Sequence, residues 1–310
     1  MPPLVSIAMA VYNGSRYLED QVRSIQDQRY SHWELVAVDD ASTDDSFQIL
    51  ERMAASDPRI KVYRNKDNIG IVGNFVAALR CSQGQLVCFA DQDDVWQGNK
   101  LDVLVRLISE DPENMLAYSD LEVCDQALRV THRSFWKASG IRPRSGAWAD
   151  FSFLRNIVPG CSMMFRREVR DLLLEVLPKS SFIHDHMAFV LAANRGRIVF
   201  SRERLVKYRQ HASNNIGAFY PSVADLGRHA EQLRRELGLL RSALRKDFTA
   251  LDRFLDLSSR KDFFSRVSFL RYYLWLRKDS ITDKILGFWE CLAPGFYQYC
   301  RRGLHAHRTV

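Results

Sequence analysis

Short apolar segments alternate with longer amphipathic ones over residues 4–110. The apolar segments, rich in β-branched residues, are Leu4–Val11, Glu34–Val38, Ile60–Tyr63 and Gln85–Ala90. The segments between them carry their apolar residues on one face, as the helix predicted from Ser15 to Gln28 does. Strands that alternate with helices of this length form βαβ units and a mostly parallel sheet. The sequence therefore predicts an α/β fold with helices flanking the sheet.

Polar loops follow three of the predicted strands. Tyr12-Asn13 comes after the first strand, Asp39-Asp40 after the second and Asp91–Asp94 after the fourth. Ligands of parallel α/β sheets bind outside the carboxyl ends of the strands. We therefore expect these three loops to converge on one crevice.

The loop Asp91–Asp94 places three carboxylates within four residues. Like charges this close cost free energy unless a cation neutralises them, and oxygen ligands select Mg²⁺ or Mn²⁺ over Zn²⁺. A solvated acidic turn is the alternative for this loop, and ordinary helix capping is the alternative for Asp39-Asp40. Two acidic strand ends in one sheet favour a polar ligand together with a metal ion.

Beyond residue 115 the pattern is less regular. Further strands are predicted at 116–123, 163–165 and 198–200, and further helices at 99–108, 151–156, 166–177 and 183–194. Ser15 is expected to cap the first helix, and Ser42 or Thr43 the second.

The last 86 residues differ from the rest in charge. Residues 225–310 hold 17 lysines and arginines against 10 acidic residues, so they account for the whole net charge of +7. They begin with an amphipathic leucine pattern from Leu226 to Leu244, and 13 aromatic residues lie between Phe248 and Tyr299. We expect a catalytic-type domain over residues 1–222 and a helical region over residues 223–310.

Two interpretations of the region 223–310 remain open. Basic helices with aromatic residues on one face bind anionic membrane surfaces. Alternatively, the aromatic residues form the core of a helical subdomain or an oligomer contact. Nucleic acid is not expected as a partner, because the excess charge comes without an RNA-recognition motif or zinc knuckle.

Composition also bears on the compartment. Six cysteines lie scattered with no C-x-x-C pair, which favours neither a zinc site nor a disulfide framework. The N-terminus lacks the pattern of a signal peptide, and no window of about 18 uncharged apolar residues occurs. We expect a cytoplasmic protein, in contact with the inner face of the membrane if residues 223–310 bind lipid.

Three segments carry a resemblance to a known family. The segments are Val5–Gly14, Val38–Asp44 and Phe89–Trp96. In this order and spacing they resemble the successive motifs of family 2 inverting glycosyltransferases with a GT-A fold. The resemblance covers residues 4–215. It implies a nucleotide-binding sheet and the transfer of a sugar from a nucleotide sugar.

The resemblance implies roles for the residues at the strand ends. Ala10 and Tyr12 would pack on the nucleobase and ribose, while Asp40 would accept from a base N–H and Asp39 would support that loop. The remaining residues implied in binding the donor and its Mg²⁺ or Mn²⁺ are Asn68 for the nucleotide, Asp91 and Asp93 as the D-x-D pair, and Asp94 as an alternative metal ligand.

The resemblance extends to the second half of the chain. Asp185 matches the H-D or E-D signature and would be the general base, although a carboxylate favoured by the helix dipole is the alternative. Tyr208–Asn214 is similar to the Y-R-x-H-x-x-N segment of a rhamnosyltransferase-like branch, in which Arg209 would meet the diphosphate and His211 would complete the metal shell. Gly160 and Trp96 would lie near the acceptor.

The implied reaction belongs to bacterial lipopolysaccharide, O-antigen or polysaccharide synthesis. The leading donor is dTDP-L-rhamnose and the alternative donors are UDP-hexoses, with a saccharide or lipid-linked saccharide as acceptor. A sugar-nucleotide-binding module without catalysis is a second alternative. A nucleotidyltransferase is a third, although the chain lacks a G-x-x-x-x-G-K phosphate loop.

Overall fold

The computed structural model of the protein describes residues 2–141, 143, 145, 146, 156–211 and 230–244. The chain divides into two compact units, residues 1–152 with 156–220 and residues 153–155 with 221–310. The helix predicted at 151–156, apart from its last residue, and the 13 aromatic residues from Phe248 to Tyr299 lie outside the described residues. The expected domains 1–222 and 223–310 stay a prediction.

The described residues form nine strands and eight α-helices. The strands are β1 Val5–Val11, β2 Trp33–Asp39, β3 Ile60–Arg64, β4 Leu86–Ala90, β5 Val95–Trp96, β6 Asn114–Cys124, β7 Val130–His132, β8 Met163–Arg166 and β9 Arg197–Arg209. The helices are α1 Ser15–Gln26, α2 Ser46–Ser56, α3 Gly70–Cys81, α4 Lys100–Ser109, α5 Phe135–Ala138, α6 Arg167–Val176, α7 His184–Arg195 and α8 Ala230–Leu244. Among these helices, none combines the length and the apolar content needed to cross a bilayer.

The strands β1 to β4 form the parallel part of one sheet. The order across the sheet is β3-β2-β1-β4-β8-β6-β9-β5, and β7 pairs with β6. Val5 lies opposite Trp33 and Val11 opposite Asp39, so the carboxyl ends of β1 and β2 meet at one edge. The connections between these strands are the helices α1, α2 and α3. The predicted α/β class and the first four strands are confirmed.

The other half of the sheet mixes directions. The strand β8 runs antiparallel to both β4 and β6, whereas β6 and β9 are parallel. The prediction of a three-residue strand at 198–200 was too short, because β9 continues to Arg209. Exposed polar residues such as Arg202 and Glu203 interrupt its apolar pattern, so hydropathy alone does not reveal the full strand.

The predicted helix caps were wrong. The helix α1 begins at Ser15 and α2 at Ser46, and neither has a side-chain cap from the residue before it. The Ser42 hydroxyl instead accepts from the Asn13 N–H at 2.9 Å, and the Ser46 hydroxyl accepts from the Gly14 N–H at 2.8 Å. These serines satisfy the loop after β1, which has no sequence neighbour to do so.

A single carboxylate links the strands at the opposite, amino-terminal edge of the sheet. Glu34 is 5% exposed, and it accepts from the Ser6 hydroxyl at 2.5 Å and from the Gln83 N–H at 2.7 Å. The Lys61 ammonium lies 2.6 Å from its other oxygen. Burial alone would raise the pKa of Glu34, but the hydrogen bonds from Lys61, Ser6 and Gln83 lower it. Glu34 therefore joins β1, β2, β3 and the turn before β4.

We expect Glu34→Leu to lower the free energy of unfolding by about 2–4 kcal/mol, because it leaves the buried Ser6 hydroxyl and the Gln83 N–H without their acceptor. Lys61→Met is the matched control, and it should cost less, since it leaves the hydrogen bonds from Ser6 and Gln83 in place. Urea denaturation of the two variants measures the difference. Equal losses would show that the ion pair, rather than the hydrogen-bonded carboxylate, links the strands.

Candidate functional site

A cavity of about 810 Å³ opens at the carboxyl ends of β1, β2 and β4. Most of the residues selected from the sequence line it, namely Ala10, Tyr12, Asp40, Asn68, Asp91, Asp93, Gly160, Asp185 and His211. The three strand-end loops thus meet in one cavity, which segments far apart in the sequence complete. Asp39, Asp94, Arg209 and Trp96 are not among its lining residues.

The loop after β1 presents an aromatic side chain to the cavity. Tyr12 is 47% exposed, and the next residue, Asn13, has a φ of 48°. Asparagine is one of the few residues that adopt this left-handed conformation readily. The backbone of Tyr12 pairs with the side-chain amide of Gln92, which accepts from the Tyr12 N–H at 2.8 Å and donates to the Tyr12 carbonyl at 3.0 Å.

Asp40 orders the loop that carries Asn68. It is 2% exposed; one oxygen accepts from the Asn65 amide at 2.7 Å and from the Ile69 N–H at 2.9 Å, and the other accepts from the Gly70 N–H at 2.9 Å. Gly70 has a φ of 77°, a conformation that glycine adopts without strain. Asp40 therefore shapes the cavity wall and also faces the cavity.

Asp39 lies behind this wall. Its carboxylate is fully buried, accepts from the Ser42 N–H at 3.1 Å and pairs with the Arg64 guanidinium at 3.2 Å. The geometry agrees with a supporting role and gives Asp39 no access to a ligand in the cavity.

The carboxylates of the loop after β4 differ in their surroundings. Burial, together with the charges of Asp93 and Asp185, raises the pKa of Asp91 to about 7. Burial also raises the pKa of Asp93, against the hydrogen bond from the His211 imidazole at 2.9 Å. Asp94 is fully buried and accepts from the Arg209 N–H at 3.1 Å, so it faces the protein interior.

The donors in the cavity suit a hard divalent cation. Asp91, Asp93 and His211 bring carboxylate oxygens and an imidazole to one wall, and the raised pKa values report the cost of keeping two carboxylates charged there. Carboxylate oxygens are preferred by Mg²⁺ and Mn²⁺. A second grouping, Asp91 with Asp94 and Cys161, has ligand atoms within 4.8 Å. Its buried thiol is a soft ligand and suits those ions less well.

A buried lysine lies beside that second grouping. Lys100 is fully buried, donates to the Cys161 carbonyl at 2.6 Å and lies 3.1 Å from the centre of the Trp96 ring. Burial lowers the pKa of Lys100 to about 8. Trp96 is only 4% exposed beneath this ammonium, so the structure does not bring it to the cavity as the sequence predicted.

Asp185 lies at the start of α7, and its carboxylate accepts hydrogen bonds from the segment 156–160 and from the next residue of the helix. One oxygen accepts from the Asn156 amide at 2.8 Å and from the His186 N–H at 2.6 Å, and the other accepts from the Gly160 N–H at 3.2 Å. Burial raises the pKa of Asp185 to about 6, although these hydrogen bonds act in the opposite direction. A Cβ on Gly160 would stand 3.2 Å from the Asp185 Cβ, so a glycine leaves Asp185 room.

The neighbour of Asp185, His184, is an uncharged group. It is 3% exposed and stacks on Phe75, with the ring centres 3.8 Å apart. Burial lowers the pKa of His184 to about 3. It lines the cavity as a neutral imidazole.

Arg209 has a different place from the one predicted. It is 3% exposed, and its guanidinium donates to the Asp93 carbonyl at 2.7 Å and to the Asp20 carboxylate at 2.9 Å. The guanidinium also lies 4.4 Å from the centre of the Tyr17 ring. Arg209 therefore holds the backbone of the acidic loop. It does not line the cavity, as the expected contact with a diphosphate would require.

Three amide side chains that sequence reasoning missed shape the site. Gln92 holds Tyr12, Asn156 holds Asp185, and Asn74 donates to the carbonyls of Val11 and Val38 at 3.3 and 2.8 Å. Asn74 thus joins the ends of β1 and β2 from α3. Each amide acts across 29 to 80 residues of sequence, and no local motif signals such a contact.

Solved structures share this fold. The structure of Staphylococcus aureus TarS 1–349 in complex with UDP-GlcNAc matches with a TM-score of 0.55 and 17% identity, over 96% of this chain and 92% of that one. The mannosyltransferase PcManGT of Pyrobaculum calidifontis, in complex with GDP-Man and Mn²⁺, matches with a TM-score of 0.56 and 19% identity, over 96% and 76% of the two chains. These likenesses confirm the expected GT-A fold class.

Relatives in sequence have the names of glycosyltransferases. A Bacillus subtilis protein named for teichuronic acid biosynthesis, TuaG, is 40% identical over 108 residues, which are 35% of this chain and 43% of that protein. The Escherichia coli β-1,3-glucosyltransferase WfgD, named for UDP-Glc and α-D-GlcNAc-diphosphoundecaprenol, is 37% identical over 106 residues, or 34% and 41% of the two chains. Both matches cover less than half of the relative's length.

A family model extends over more of the chain than either of these two relatives. The model described as "Glycosyl transferase family 2" matches residues 6–173, just over half of the chain. That range includes β1 without its first residue, β2 to β4, the acidic loop after β4 and Gly160. The chain therefore belongs to glycosyl transferase family 2.

Proposed function

We propose that this protein transfers a sugar from a nucleoside diphosphate sugar to a hydroxyl group of a saccharide or lipid-linked saccharide, with inversion at the anomeric carbon. The observation that carries the proposal is that Asp185, with a pKa near 6, lines the same cavity as Asp91 and Asp93. A base and the donors for a divalent cation are the two components that such a displacement needs.

The strand-end loops would bind the nucleotide-sugar donor. Ala10 and Tyr12 would pack on the nucleoside, with Asp40 and Asn68 on the adjoining wall. Asp91, Asp93 and His211 would hold Mg²⁺ or Mn²⁺. When bound, such an ion stabilises the negative charge that develops on the departing diphosphate. Arg209 positions Asp93 through its backbone carbonyl.

Asp185 would act on the acceptor as the general base. Its Gly160-bonded oxygen retains a lone pair, which would take the proton of the acceptor hydroxyl as that oxygen attacks the anomeric carbon. The bond between the anomeric carbon and the diphosphate oxygen breaks in the same step. Gly160, without a side chain, would leave space for the acceptor beside the base.

Two observations bear on the identity of the donor sugar, and they favour different donors. The Y-R-x-H-x-x-N resemblance favours dTDP-L-rhamnose, whereas WfgD is named for UDP-Glc and TarS was solved with UDP-GlcNAc. A UDP-hexose is therefore the second candidate. The name of TuaG supports a place in bacterial polysaccharide synthesis, and the name of WfgD supports a lipid-linked acceptor.

The basic and aromatic composition of residues 223–310 supports contact with an anionic membrane surface, where a lipid-linked acceptor would be found. We include this contact in the proposal. Packing of the same residues on themselves or on a second copy is the competing interpretation.

The release of nucleoside diphosphate tests the reaction class and the donor. We expect release from one donor in a panel of dTDP-L-rhamnose, UDP-glucose, UDP-GlcNAc and GDP-mannose, with membrane extract as the source of acceptor. Mg²⁺ or Mn²⁺ should support release and EDTA should abolish it, because Asp91, Asp93 and His211 would lose the ion. Release from UDP-hexoses alone would reject the rhamnose donor, and pyrophosphate as the product would indicate nucleotidyl transfer.

Asp185→Asn should lower the rate of transfer by about 10²- to 10⁴-fold, because an amide cannot accept the hydroxyl proton. UDP binding should stay within twofold by isothermal titration calorimetry, since the donor loops are unchanged. Asp171→Asn, the same substitution at an exposed residue of α6, is the matched control and should keep full activity. Full activity of Asp185→Asn would remove Asp185 from the mechanism.

The pH profile tests the same base through its neighbour. Transfer should rise with pH through about 6, because Asp185 must be ionised and burial raises its pKa to about that value. Asn156→Leu removes a hydrogen bond that stabilises the ionised form, so the acidic limb should move to higher pH. Initial rates between pH 4.5 and 8.5 measure the shift. An unchanged limb in Asn156→Leu would assign it to another group.

A further inference from the structure

The acidic loop and the loop after β1 share a pair of reciprocal hydrogen bonds. Gln92 lies between the two cavity carboxylates Asp91 and Asp93 in the sequence. Its amide oxygen accepts from the Tyr12 N–H at 2.8 Å, and its amide nitrogen donates to the Tyr12 carbonyl at 3.0 Å. One side chain thus satisfies both backbone polar groups of Tyr12, as a neighbouring strand would.

Gly14 gives the Gln92 side chain its space. A Cβ built on Gly14 would stand 2.4 Å from the Gln92 Cδ and from its Oε1. A Cβ essentially never approaches another heavy atom within 3.0 Å, so any side chain at position 14 would displace the amide. The Gln92 amide therefore occupies space that is open only because residue 14 is a glycine.

The residues on either side of Tyr12 have other anchors. The Val11 carbonyl accepts from the Asp40 N–H at 2.8 Å, and the Asn13 N–H donates to the Ser42 hydroxyl at 2.9 Å. Removal of the Gln92 amide would therefore leave the loop attached to the segment after β2. The two hydrogen bonds that link the exposed Tyr12 to the acidic loop would be lost.

We propose that Gln92 is a positioning residue that couples the binding of a divalent cation at Asp91 and Asp93 to the binding of a nucleoside on Tyr12. A cation bound by Asp91 and Asp93, the residues before and after Gln92, would fix the peptide from which the Gln92 side chain extends. A nucleoside packed on Tyr12 needs the same link to be ordered. Because the two ligands share one ordering cost, each strengthens the binding of the other. The inference rests on the proposed function of the cavity.

A nucleoside without phosphates separates this coupling from direct contact. Uridine and thymidine cannot bridge to a cation through a diphosphate, so any effect of Mn²⁺ on their affinity passes through the protein. With the full chain, we expect saturating Mn²⁺ to tighten the better-bound nucleoside by about fivefold or more. Calorimetry should show that the nucleoside tightens Mn²⁺ by the same factor, as linkage requires.

Gln92→Met keeps the length of the side chain and removes both hydrogen bonds, so the Mn²⁺ effect should fall below twofold. Gln92→Glu is a second variant, which still accepts from the Tyr12 N–H but cannot donate to its carbonyl when ionised, and should give an intermediate effect. Gln83→Met, at an exposed position on the opposite edge of the sheet, is the matched control and should retain the full effect. Thermal melting checks that each variant is folded.

Three results would overturn the coupling: a nucleoside affinity in the unaltered protein that is independent of Mn²⁺, a full Mn²⁺ effect in folded Gln92→Met, or no nucleoside binding while UDP with Mn²⁺ still binds. Failure of UDP itself to bind in the presence of Mn²⁺ or Mg²⁺ would instead reject the proposed function, and the coupling with it. The two failures are thus distinguishable in one set of titrations.

Discussion

The charge of the cavity is the constraint on which the surrounding structure depends. Asp91, Asp93 and Asp185 line one space, and burial raises the pKa of each carboxyl group. Keeping ionised carboxylates there requires positive charge or hydrogen-bond donors nearby. The His211 imidazole hydrogen-bonds Asp93, and three donors hold Asp185. The protein does not remove the cost entirely, and the remainder favours a divalent cation.

The two edges of the parallel strands hold carboxylates whose pKa values are shifted in opposite directions. At the amino-terminal edge, Glu34 is fully hydrogen-bonded and its pKa lies below the ordinary value, as expected for a carboxylate that stabilises the fold. At the carboxyl edge, Asp91 and Asp185 have raised pKa values. Carboxylates kept at such a cost are common at functional sites. The same chemical group, a carboxylate, is thus stabilised in its charged form at one edge of the sheet and destabilised at the other.

Much of the fold could be predicted because the first half of the chain is locally consistent. The strands β1 to β4 are apolar, short and bounded by turn residues, so periodicity alone locates them. The strand β9 was underestimated because its exposed residues are charged, and β5 has only two residues, too few for any periodic pattern. These elements depend on pairing with β6 and with each other, which sequence patterns do not report.

In the site, as in the fold, residues in local motifs could be predicted, whereas contacts between distant segments could not. Asp91, Asp93 and Asp185 stand in recognisable motifs, and the structure brings all three to the cavity. Arg209 stands in a motif as well, yet its guanidinium points to the backbone of the acidic loop. A motif specifies which residues occur together, whereas the direction of a long side chain depends on the acceptors around it. The carbonyls of Asp93 and Gln126 and the carboxylate of Asp20 surround the guanidinium of Arg209, and they determine its place.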